Sequence, residues 1–356
     1  MRTNPIPRPE RSGILSGGNW ILDRVKVIDR YPERERLANI LSESLHNGGA
    51  AYNLLTDLSK LGAPFPLAGA GLVGEDAEGE HILAHCRSLS IDTAAMRRVP
   101  GVSTSYTDVF TERDSGRRTF FHSRGANALL DPADFPLDTS SARILHLGYL
   151  LLLDRLDALH EDGKPRAFHL LRKARSLGFR TAVDVVSEEG DRFPNVILPV
   201  LPAVDILLLN EYEAGKITGL DLTEADGSIR MEACRAALGM LIEKGVQEWA
   251  VLHFPQGALA MSSRDDYVFQ PSVRVPPSLI AGTVGAGDAF AAGVLYGEHE
   301  GAPMEECLRY GVCAAAACLL HLSSSEGVLD LQGCLELGAR YGFQDRLGFD
   351  PNQGGR

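Results

Sequence analysis

The sequence predicts an α/β fold of three layers, in which helices cover both faces of a mostly parallel central sheet and a small β-sheet forms a lid. Short apolar runs, which are typical of buried strands, alternate with amphipathic stretches, and this rhythm of strand, helix and strand indicates a parallel sheet. Two regions break the rhythm. Residues 18–47 hold strand-like pieces without a proper helix, and residues 102–127 resemble a β-hairpin.

The core elements follow one another along the chain. The expected strands are 144–147, 180–186, 204–209 and 249–254, and the expected helices are 165–177 and 231–244. The hairpin would turn at Asp114-Ser115-Gly116. Because ligands of α/β proteins bind beyond the carboxyl ends of the strands, we expect the two β regions to cover that edge as a lid.

Composition excludes several classes of function. The formal net charge of the 356 residues is −12 and no long basic run occurs, so no nucleic acid partner is expected. No apolar run reaches the roughly 18 residues of a membrane span, and the Arg- and Pro-rich start lacks the apolar stretch of a secretion signal. Six cysteines without a CxxC pair indicate buried reduced thiols and no zinc site. We therefore expect a cytoplasmic protein without a membrane partner.

The segment Ala281–Gly293 (AGTVGAGDAFAAG) carries the chemistry. Small residues at 285–287 allow the backbone to approach a ligand, and the helix that follows presents its N-terminal N–H groups to an anion. Asp288 lies in the first turn of this helix, where a carboxylate can remove the proton from an attacking hydroxyl. The alternative interpretation is a glycine-rich turn in which Asp288 only caps the helix.

Three motifs in this segment and upstream of it resemble the signatures of the ribokinase-like (PfkB) carbohydrate kinases. Thr283–Phe290 (TVGAGDAF) is similar to the C-terminal signature DTxGAGDxF. Asn47–Asn53 (NGGAAYN), followed by Leu61-Gly62 and Gly71–Asp76, is similar to the N-terminal signature. Asn210–Glu213 (NEYE) matches an NxxE pattern. The motifs occur in family order, and the resemblance covers roughly residues 13–343.

The resemblance implies an ATP-dependent kinase that phosphorylates a hydroxyl of a sugar or sugar-like molecule. It makes Asp288 the catalytic base and the backbone of Gly285, Ala286 and Gly287 an anion hole. The remaining roles fall into two groups. The ATP side comprises Thr283, Gly257 and, as organisers of Mg²⁺, Asn210 and Glu213, and the sugar side comprises Asp23, Gly48, Gly49 and Asn53. Without the resemblance, Asp23 reads as an ordinary loop acid, and Asn210 with Glu213 as a helix cap.

Several positions depart from the family pattern. The first Asp of DTxGAGD is Gly282 here; because that Asp helps to form the ion site of cation-activated relatives, potassium activation is in doubt. Phe254 replaces a glycine of the loop on the phosphate side, so ATP would be accommodated differently. In some relatives one strand presents a Glu to the sugar. The corresponding stretch here is Leu145–Tyr149 (LHLGY), which has no Glu, and this difference argues against identity with ribokinase. Arg118 and Arg124 either reach an acidic substrate or are simply solvated.

Two alternative functions stay open. A nucleoside kinase of the same fold needs a slot for a base, which Trp20, Tyr106 and Phe121 could supply. A catalytically silent sugar- or nucleotide-binding protein would be consistent with Gly282 and Phe254. We expect a single kinase domain at residues 13–343 with its lid at 18–47 and 102–127, a disordered lead-in at 1–12 and a tail at 344–356. The resemblance also implies a homodimer that pairs through the lid.

Overall fold

The computed structural model describes residues 11–347. Residues 1–10 and 348–356, which hold most of the expected lead-in and tail, lie outside the described residues. The Arg11 guanidinium lies over the Phe179 ring, 3.8 Å from its centroid, and donates a 2.7 Å hydrogen bond to the Ala142 carbonyl. The chain is thus anchored to the core from residue 11 onwards. Between residues 11 and 347 no helix has the length and apolar character that a membrane crossing requires.

The secondary structure alternates between strands and helices. In chain order the strands are β1 (Ile14–Gly18), β2 (Ile21–Ile28), β3 (Ile40–Gly48), β4 (Leu67–Gly74), β5 (Asp92–Val99), β6 (Ser105–Glu112), β7 (Arg118–Ser123), β8 (Ile144–Leu150), β9 (Arg180–Val185), β10 (Ile206–Asn210), β11 (Trp249–Phe254), β12 (Gly257–Ser262) and β13 (Tyr267–Pro271). The helices are α1 (Ala50–Lys60), α2 (Ala77–Ser88), α3 (Asp154–Asp157), α4 (Arg166–Ser176), α5 (Phe193–Val196), α6 (Glu211–Thr218), α7 (Met231–Glu243), α8 (Ala286–Glu300), α9 (Met304–Cys318) and α10 (Leu331–Tyr341).

Nine strands form the large sheet, in the order β13-β12-β11-β10-β9-β8-β1-β4-β5. All neighbouring pairs are parallel except β11 with β12 and β12 with β13. The four strands predicted between residues 144 and 254 are β8, β9, β10 and β11, and the two predicted helices are α4 and α7. The mostly parallel sheet is therefore confirmed.

Each central strand sends alternate side chains into two separate cores. Leu145, Leu147 and Leu207 belong to the core under α3–α7, whereas Ile144 and Ile206 belong to the core under α1, α2 and α8–α10. This is the two-residue period of a strand that is buried on both faces. Helices on both faces of the sheet confirm the predicted three layers.

The two regions that break the helical rhythm form one small sheet of four strands, in the order β3-β2-β6-β7. The predicted hairpin is β6 and β7, which pair antiparallel, and Gly116 lies in its turn with φ at 67°. β2 and β6 pair in parallel, so the strands of both regions join into a single layer. This small sheet lies over the edge of the large sheet at which the functional residues are found.

Candidate active site

A cleft of about 910 Å³ lies between the small sheet and the carboxyl ends of the central strands. Its roof includes Asp23, Thr107, Arg118 and His122 of the small sheet. Its floor includes the last residues of β8, β9 and β10 and the start of α8; these floor residues are Tyr149, Asp184, Val185, Asn210, Gly285, Gly287 and Asp288. The cleft is at the edge where parallel α/β sheets bind ligands.

The N-terminus of α8 faces this cleft without a side-chain cap. Gly285 is the N-cap residue, with φ at 79°, and a Cβ at this position would lie 2.2 Å from the Ser324 carbonyl oxygen. Only glycine fits there, because both the backbone conformation and the contact exclude a side chain. The N–H groups of the first helical turn have no partner within the helix. The start of α8 therefore offers a set of donors to an anion.

Asp288, the third residue of α8, is 6% exposed, and its carboxylate accepts hydrogen bonds from two other elements. The Tyr149 hydroxyl donates to Oδ1 at 2.5 Å and Asn53 Nδ2 donates to Oδ2 at 2.7 Å. Burial, and after it the charge of Asp184, raises the pKa of Asp288 to about 7, although both hydrogen bonds lower it. Its side chain makes no helix cap, which removes the capping interpretation.

Asp23 and the glycines at the end of β3 lie together on the opposite side of the cleft. A Cβ at Gly48 would lie 2.6 Å from the Asp23 carboxyl group, so the missing side chain leaves room for that group. Burial raises the pKa of Asp23 to about 7, a hydrogen bond from Thr107 lowers it, and the charge of Asp288 raises it further. Gly49, with φ at 85°, begins α1 and places Asn53 one turn later.

Asn210 and Glu213 form a complete capping box at the start of α6. Asn210 Oδ1 accepts from the Glu213 N–H at 2.9 Å, and Glu213 Oε2 accepts from the Asn210 N–H at 3.0 Å. The Ser187 hydroxyl donates to Oε1 of Glu213 at 2.8 Å. Burial raises the pKa of Glu213 to about 8, the Asn210 and Ser187 hydrogen bonds lower it, and the charge of Asp184 raises it. The predicted helix cap is thus present, and its Glu213 carboxyl group lies near that of Asp184.

Three residues that line the cleft or are buried behind it carry no role in the sequence prediction. Tyr149 and His146 lie on β8, and Asp184 lies at the end of β9. His146 is fully buried; its Nε2 lies 3.2 Å from Asp184 Oδ2, and its Nδ1 shares a 2.8 Å hydrogen bond with the Ser16 hydroxyl. Asp184 Oδ1 is buried and has no hydrogen-bond partner within residues 11–347. The only sequence signal is a polar side chain near the end of each of two apolar strands.

Other predicted positions lie outside the cleft lining. Gly257 begins β12 in a tight hairpin with β11, and Thr283 is exposed beside the glycine turn. The Phe254 ring is buried against Phe269 in the core rather than in the cleft. Arg124 donates to the Leu151 carbonyl at 2.9 Å and faces Asp154 at 3.4 Å. These contacts give Arg124 a structural role and place the Phe254 ring in the core, outside the cleft lining.

Arg118 projects from β7 towards the glycine turn. A Cβ at Gly282 would lie 3.0 Å from Arg118 Nη2, so the absence of a side chain at 282 makes room for the guanidinium. Within the described residues Arg118 has no carboxylate within ion-pair distance. Burial lowers its pKa from the usual arginine value, yet an arginine stays charged. Within the described residues, a cation without a protein counter-charge therefore lies beside the glycine turn.

The three residues considered for a nucleobase slot do not line the cleft. Trp20 is fully buried and donates from Nε1 to the Ala70 carbonyl at 3.0 Å. The Tyr106 ring lies under the Arg24 guanidinium, at 3.9 Å, and the Phe121 ring packs edge-on against Phe110. The expectation that these rings could hold a base is therefore wrong.

Comparison with known proteins identifies the family. Residues 20–330 match the pfkB family carbohydrate kinases. The chain is 26% identical to mouse (Mus musculus) ketohexokinase over 331 residues, which cover 90% of this chain and all of that protein. It is 25% identical to a nucleoside kinase of Methanothermobacter thermautotrophicus over 310 residues, covering 86% and 89%. Arabidopsis thaliana ribokinase, solved with ribose and ATP, superposes with a TM-score of 0.73 at 21% identity, covering 92% of this chain and 98% of that one. The chain belongs to the pfkB family of carbohydrate kinases and is a sugar or nucleoside kinase with the ribokinase-like fold.

Proposed function

We propose that this kinase transfers the γ-phosphoryl group of ATP to a hydroxyl of a sugar or sugar-like acceptor, with Asp288 as the base. One observation carries the proposal. The Asp288 carboxylate is buried, its pKa is raised to about 7, and it lies in the first turn of the helix whose start, at Gly285 and Gly287, lines the cleft. A base with this pKa is ionised for a useful fraction of the time near neutral pH and still binds a proton readily.

The reaction balances in one displacement. The acceptor hydroxyl loses its proton to Asp288, and its oxygen attacks the γ-phosphorus in line with the bond to ADP. The bond between the γ-phosphorus and the bridging oxygen breaks, and ADP leaves. Charge that accumulates on the transferred group is stabilised by the N–H groups of Gly285, Ala286 and Gly287 and by the guanidinium of Arg118. Because this charge is compensated by fixed donors, little reorganisation is needed at the moment of transfer.

The acidic pocket at the ends of β9 and β10 suits a hard cation. Asp184 Oδ1 is buried without a hydrogen-bond partner in the described chain. Glu213 lies close enough to Asp184 for the charge of Asp184 to raise the pKa of Glu213. Asn210, Glu213 and Asp184 would hold Mg²⁺ directly or through its waters. When bound, the ion would neutralise charge on the ATP phosphates. Gly282 offers no carboxylate to a monovalent ion, so we propose activity without potassium.

The acceptor would lie between Asp23 and Asp288. Asp23 would accept hydrogen bonds from acceptor hydroxyls, and Gly48, Gly49 and Asn53 would bring backbone and amide groups close to it. Two carboxyl groups that face one cleft favour a polyhydroxylated ligand over an anionic one. These two carboxyl groups are the reason to propose a sugar rather than a nucleoside. The six buried free cysteines support a cytoplasmic location.

The first test is ADP release from Mg-ATP with a panel of pentoses, hexoses, keto-sugar acids and nucleosides. We expect release with one sugar class, and a loss of at least about a hundredfold in turnover for Asp288→Asn with ATP binding retained. Near-normal turnover of that variant would exclude Asp288 as the base. ATP binding without ADP release for any acceptor would favour a silent binding protein, and release with nucleosides alone would favour a nucleoside kinase.

A further inference from the structure

A cluster of two histidines and one aspartate lies on the surface, away from the cleft lining. His160 and Asp162 lie in the connection between α3 and α4, and His169 is the fourth residue of α4. One ligand atom from each side chain lies within 4.8 Å of the other two. None of the three residues lines the cleft. Among residues 11–347 no other group of three histidine, cysteine or acidic side chains brings its ligand atoms together in this way.

The backbone places two of these side chains by a tight turn. The His160 N–H donates to the Lys164 carbonyl at 2.7 Å, and the Gly163 N–H donates to the His160 carbonyl at 2.9 Å. Gly163 has φ at 76°, a conformation that glycine adopts without strain. The residues that flank the turn pair as an antiparallel bridge. His160 and Asp162 are therefore held in one well-defined turn directly before α4.

The Asp162 carboxylate is at the centre of the cluster. Its Oδ1 accepts a 3.0 Å hydrogen bond from His169 Nε2 and a 3.2 Å hydrogen bond from the Lys164 N–H. His160 Nδ1 lies 3.7 Å from the same oxygen, which is too far for a hydrogen bond. Within the described residues no lysine or arginine forms an ion pair with Asp162. Its charge is thus available to a cation, and the backbone contact orients the carboxylate as outer-shell groups do at metal sites.

The spacing of the three ligand atoms suits a tetrahedral ion. Zinc binds imidazole nitrogen and carboxylate oxygen at about 2.0–2.2 Å, so two of its ligand atoms are about 3.4 Å apart at the tetrahedral angle. The distances from Asp162 Oδ1 to the nitrogens of His169 and His160, 3.0 and 3.7 Å, lie on either side of this value. The two imidazole rings are also neighbours, with centroids 4.7 Å apart. Small rotations of exposed side chains would place all three atoms around one ion.

We propose that His160, Asp162 and His169 bind one divalent cation of the zinc class, with water in the remaining coordination position. Two imidazole nitrogens and one carboxylate oxygen favour Zn²⁺, Ni²⁺, Co²⁺ or Cu²⁺ over Mg²⁺, which prefers oxygen ligands. The side chains of His160 and Asp162 are 46% and 45% exposed, so an ion can enter from solvent. The site uses no cysteine, and the missing CxxC pair therefore does not bear on it.

The ion would join the turn to helix α4. His169 belongs to the helix and the other two ligands precede it, so one ion would bridge both segments. The unfolded chain does not hold the three ligands together, and binding therefore stabilises the folded state. This site differs in ligand type from the oxygen groups proposed to hold Mg²⁺ in the cleft. The two sites can thus be distinguished by the metal that each prefers.

The test measures Co²⁺ binding in excess Mg²⁺, which competes for sites made of oxygen ligands. We expect about one Co²⁺ per chain, with the visible absorption of a four- or five-coordinate ion, and its displacement by Zn²⁺. His160→Ala and His169→Ala should each weaken binding at least about tenfold, because even the loss of an outer-shell group costs about ten- to a hundredfold. Asp162→Asn keeps an acceptor for the Lys164 N–H but removes the charge, so it should weaken binding as much without disturbing the turn.

His321→Ala is the matched control. His321 and His46 also lie beside one carboxylate, but they face different oxygens of Glu326, at 3.2 and 3.8 Å. They do not converge on one atom as His160 and His169 do, so His321→Ala should bind Co²⁺ like the wild type. Wild-type protein that binds no Co²⁺ in excess Mg²⁺ would overturn the proposal. Equal losses in His321→Ala and His160→Ala would also overturn it, because the ion would then bind surface histidines without selectivity.

Thermal unfolding provides a second readout that does not depend on kinase activity. The unfolding midpoint of the wild type should rise with Zn²⁺ concentration, since an ion that binds only the folded chain stabilises it by mass action. The midpoint of His321→Ala should rise in the same way, whereas those of His160→Ala and Asp162→Asn should not respond. A Zn²⁺ response in His160→Ala equal to that of the wild type would contradict the site.

Discussion

The Tyr149 hydroxyl donates a 2.5 Å hydrogen bond to Oδ1 of Asp288, which ties the end of β8 to the first turn of α8. The two residues are far apart in the sequence and meet because the N-terminus of α8 lies at the edge of the large sheet where the central strands end. Tyr149 and Asn53 together occupy both oxygens of the carboxylate. Asp288 is thus oriented from two independent elements before any substrate binds.

Removal of the tyrosine hydroxyl should therefore slow the reaction and change its pH dependence. For Tyr149→Phe we expect kcat to fall about tenfold. Burial raises the pKa of Asp288 and the Tyr149 hydrogen bond lowers it, so its loss raises this pKa further. Because the base acts when ionised, the rate falls as pH drops through its pKa, and the acid limb of the profile should move to higher pH. Tyr52→Phe, whose hydroxyl pairs with His85, is the control. An unmoved acid limb would disprove the role of Tyr149.

The cap and metal roles of the NxxE motif can be separated by two substitutions. Glu213→Gln keeps a side chain that capping boxes accept but removes the charge that attracts a cation, so the Mg²⁺ concentration for half-maximal rate should rise about tenfold. Asn210→Ala removes the N-cap and should destabilise the fold by about 1 kcal/mol. Rate against Mg²⁺ and thermal unfolding are measured for both. An unchanged Mg²⁺ dependence in Glu213→Gln would mean that the motif caps the helix and does not bind the metal.

The buried carboxyl groups should make the ligand-free protein less stable as pH rises. Burial raises the pKa of Asp288 and Asp23 to about 7 and that of Glu213 to about 8. A group whose pKa is raised by folding contributes stability that is complete below its unfolded pKa and is lost as pH rises through its folded pKa. The contribution of these groups to the free energy of unfolding should thus decline between about pH 4 and pH 8. Measured by denaturant unfolding, the free energy of unfolding of Asp288→Asn should fall less steeply with pH than that of the wild type. The same slope in both proteins would contradict the raised pKa of Asp288.

Potassium should not activate the enzyme. Position 282 has no carboxylate, and the Arg118 guanidinium occupies the space that a side chain there would need. Rates in potassium chloride and in choline chloride at equal ionic strength should agree within about twofold. Stronger activation by potassium would require an ion site formed by other groups.

A homodimer through the small sheet is expected from its exposed apolar side chains. Leu41 and Leu45 are 47% and 44% exposed on β3, an edge strand of this sheet. Exposed apolar groups on an edge strand favour pairing with another chain. Light scattering should give a dimer for the wild type and a monomer for the Leu41→Lys, Leu45→Lys double variant. Leu159→Lys, also exposed but outside the small sheet, should remain dimeric, and a monomeric wild type would exclude the interface.

The layers of the fold could be predicted from the sequence because the information is local. The strand ending at Leu150 and the strand at Ile206–Asn210 are buried apolar runs, and the β6–β7 hairpin has a turn signal between two β-rich segments. The order of the strands is not local information. The parallel pairing of β2 with β6, which merges two separate β regions, was not apparent in either region alone.

The residues of the candidate site likewise fall into those that local motifs reveal and those that only the fold reveals. Asp288, Asn210 and Glu213 lie in motifs that can be read along the chain. Tyr149 and Asp184 become functional candidates only because β8 and β9 are neighbours and end at the same edge. The burial of Asp57, which is 0% exposed, gave no signal, since a single acid in a helix is ordinarily solvated. That burial depends on α8 packing against α1, which no pattern within α1 reveals.

The parallel pairing of β2 with β6 also has a consequence expected for the order of folding. The two strands enclose β3, α1, β4, α2 and β5 in one long stretch of the chain, and closing such a loop costs entropy that only later contacts recover. The small sheet should therefore assemble after the large sheet and detach before it. Mild heating or denaturant would then open the roof of the cleft while the cores stay intact, and activity would be lost well before the main unfolding transition.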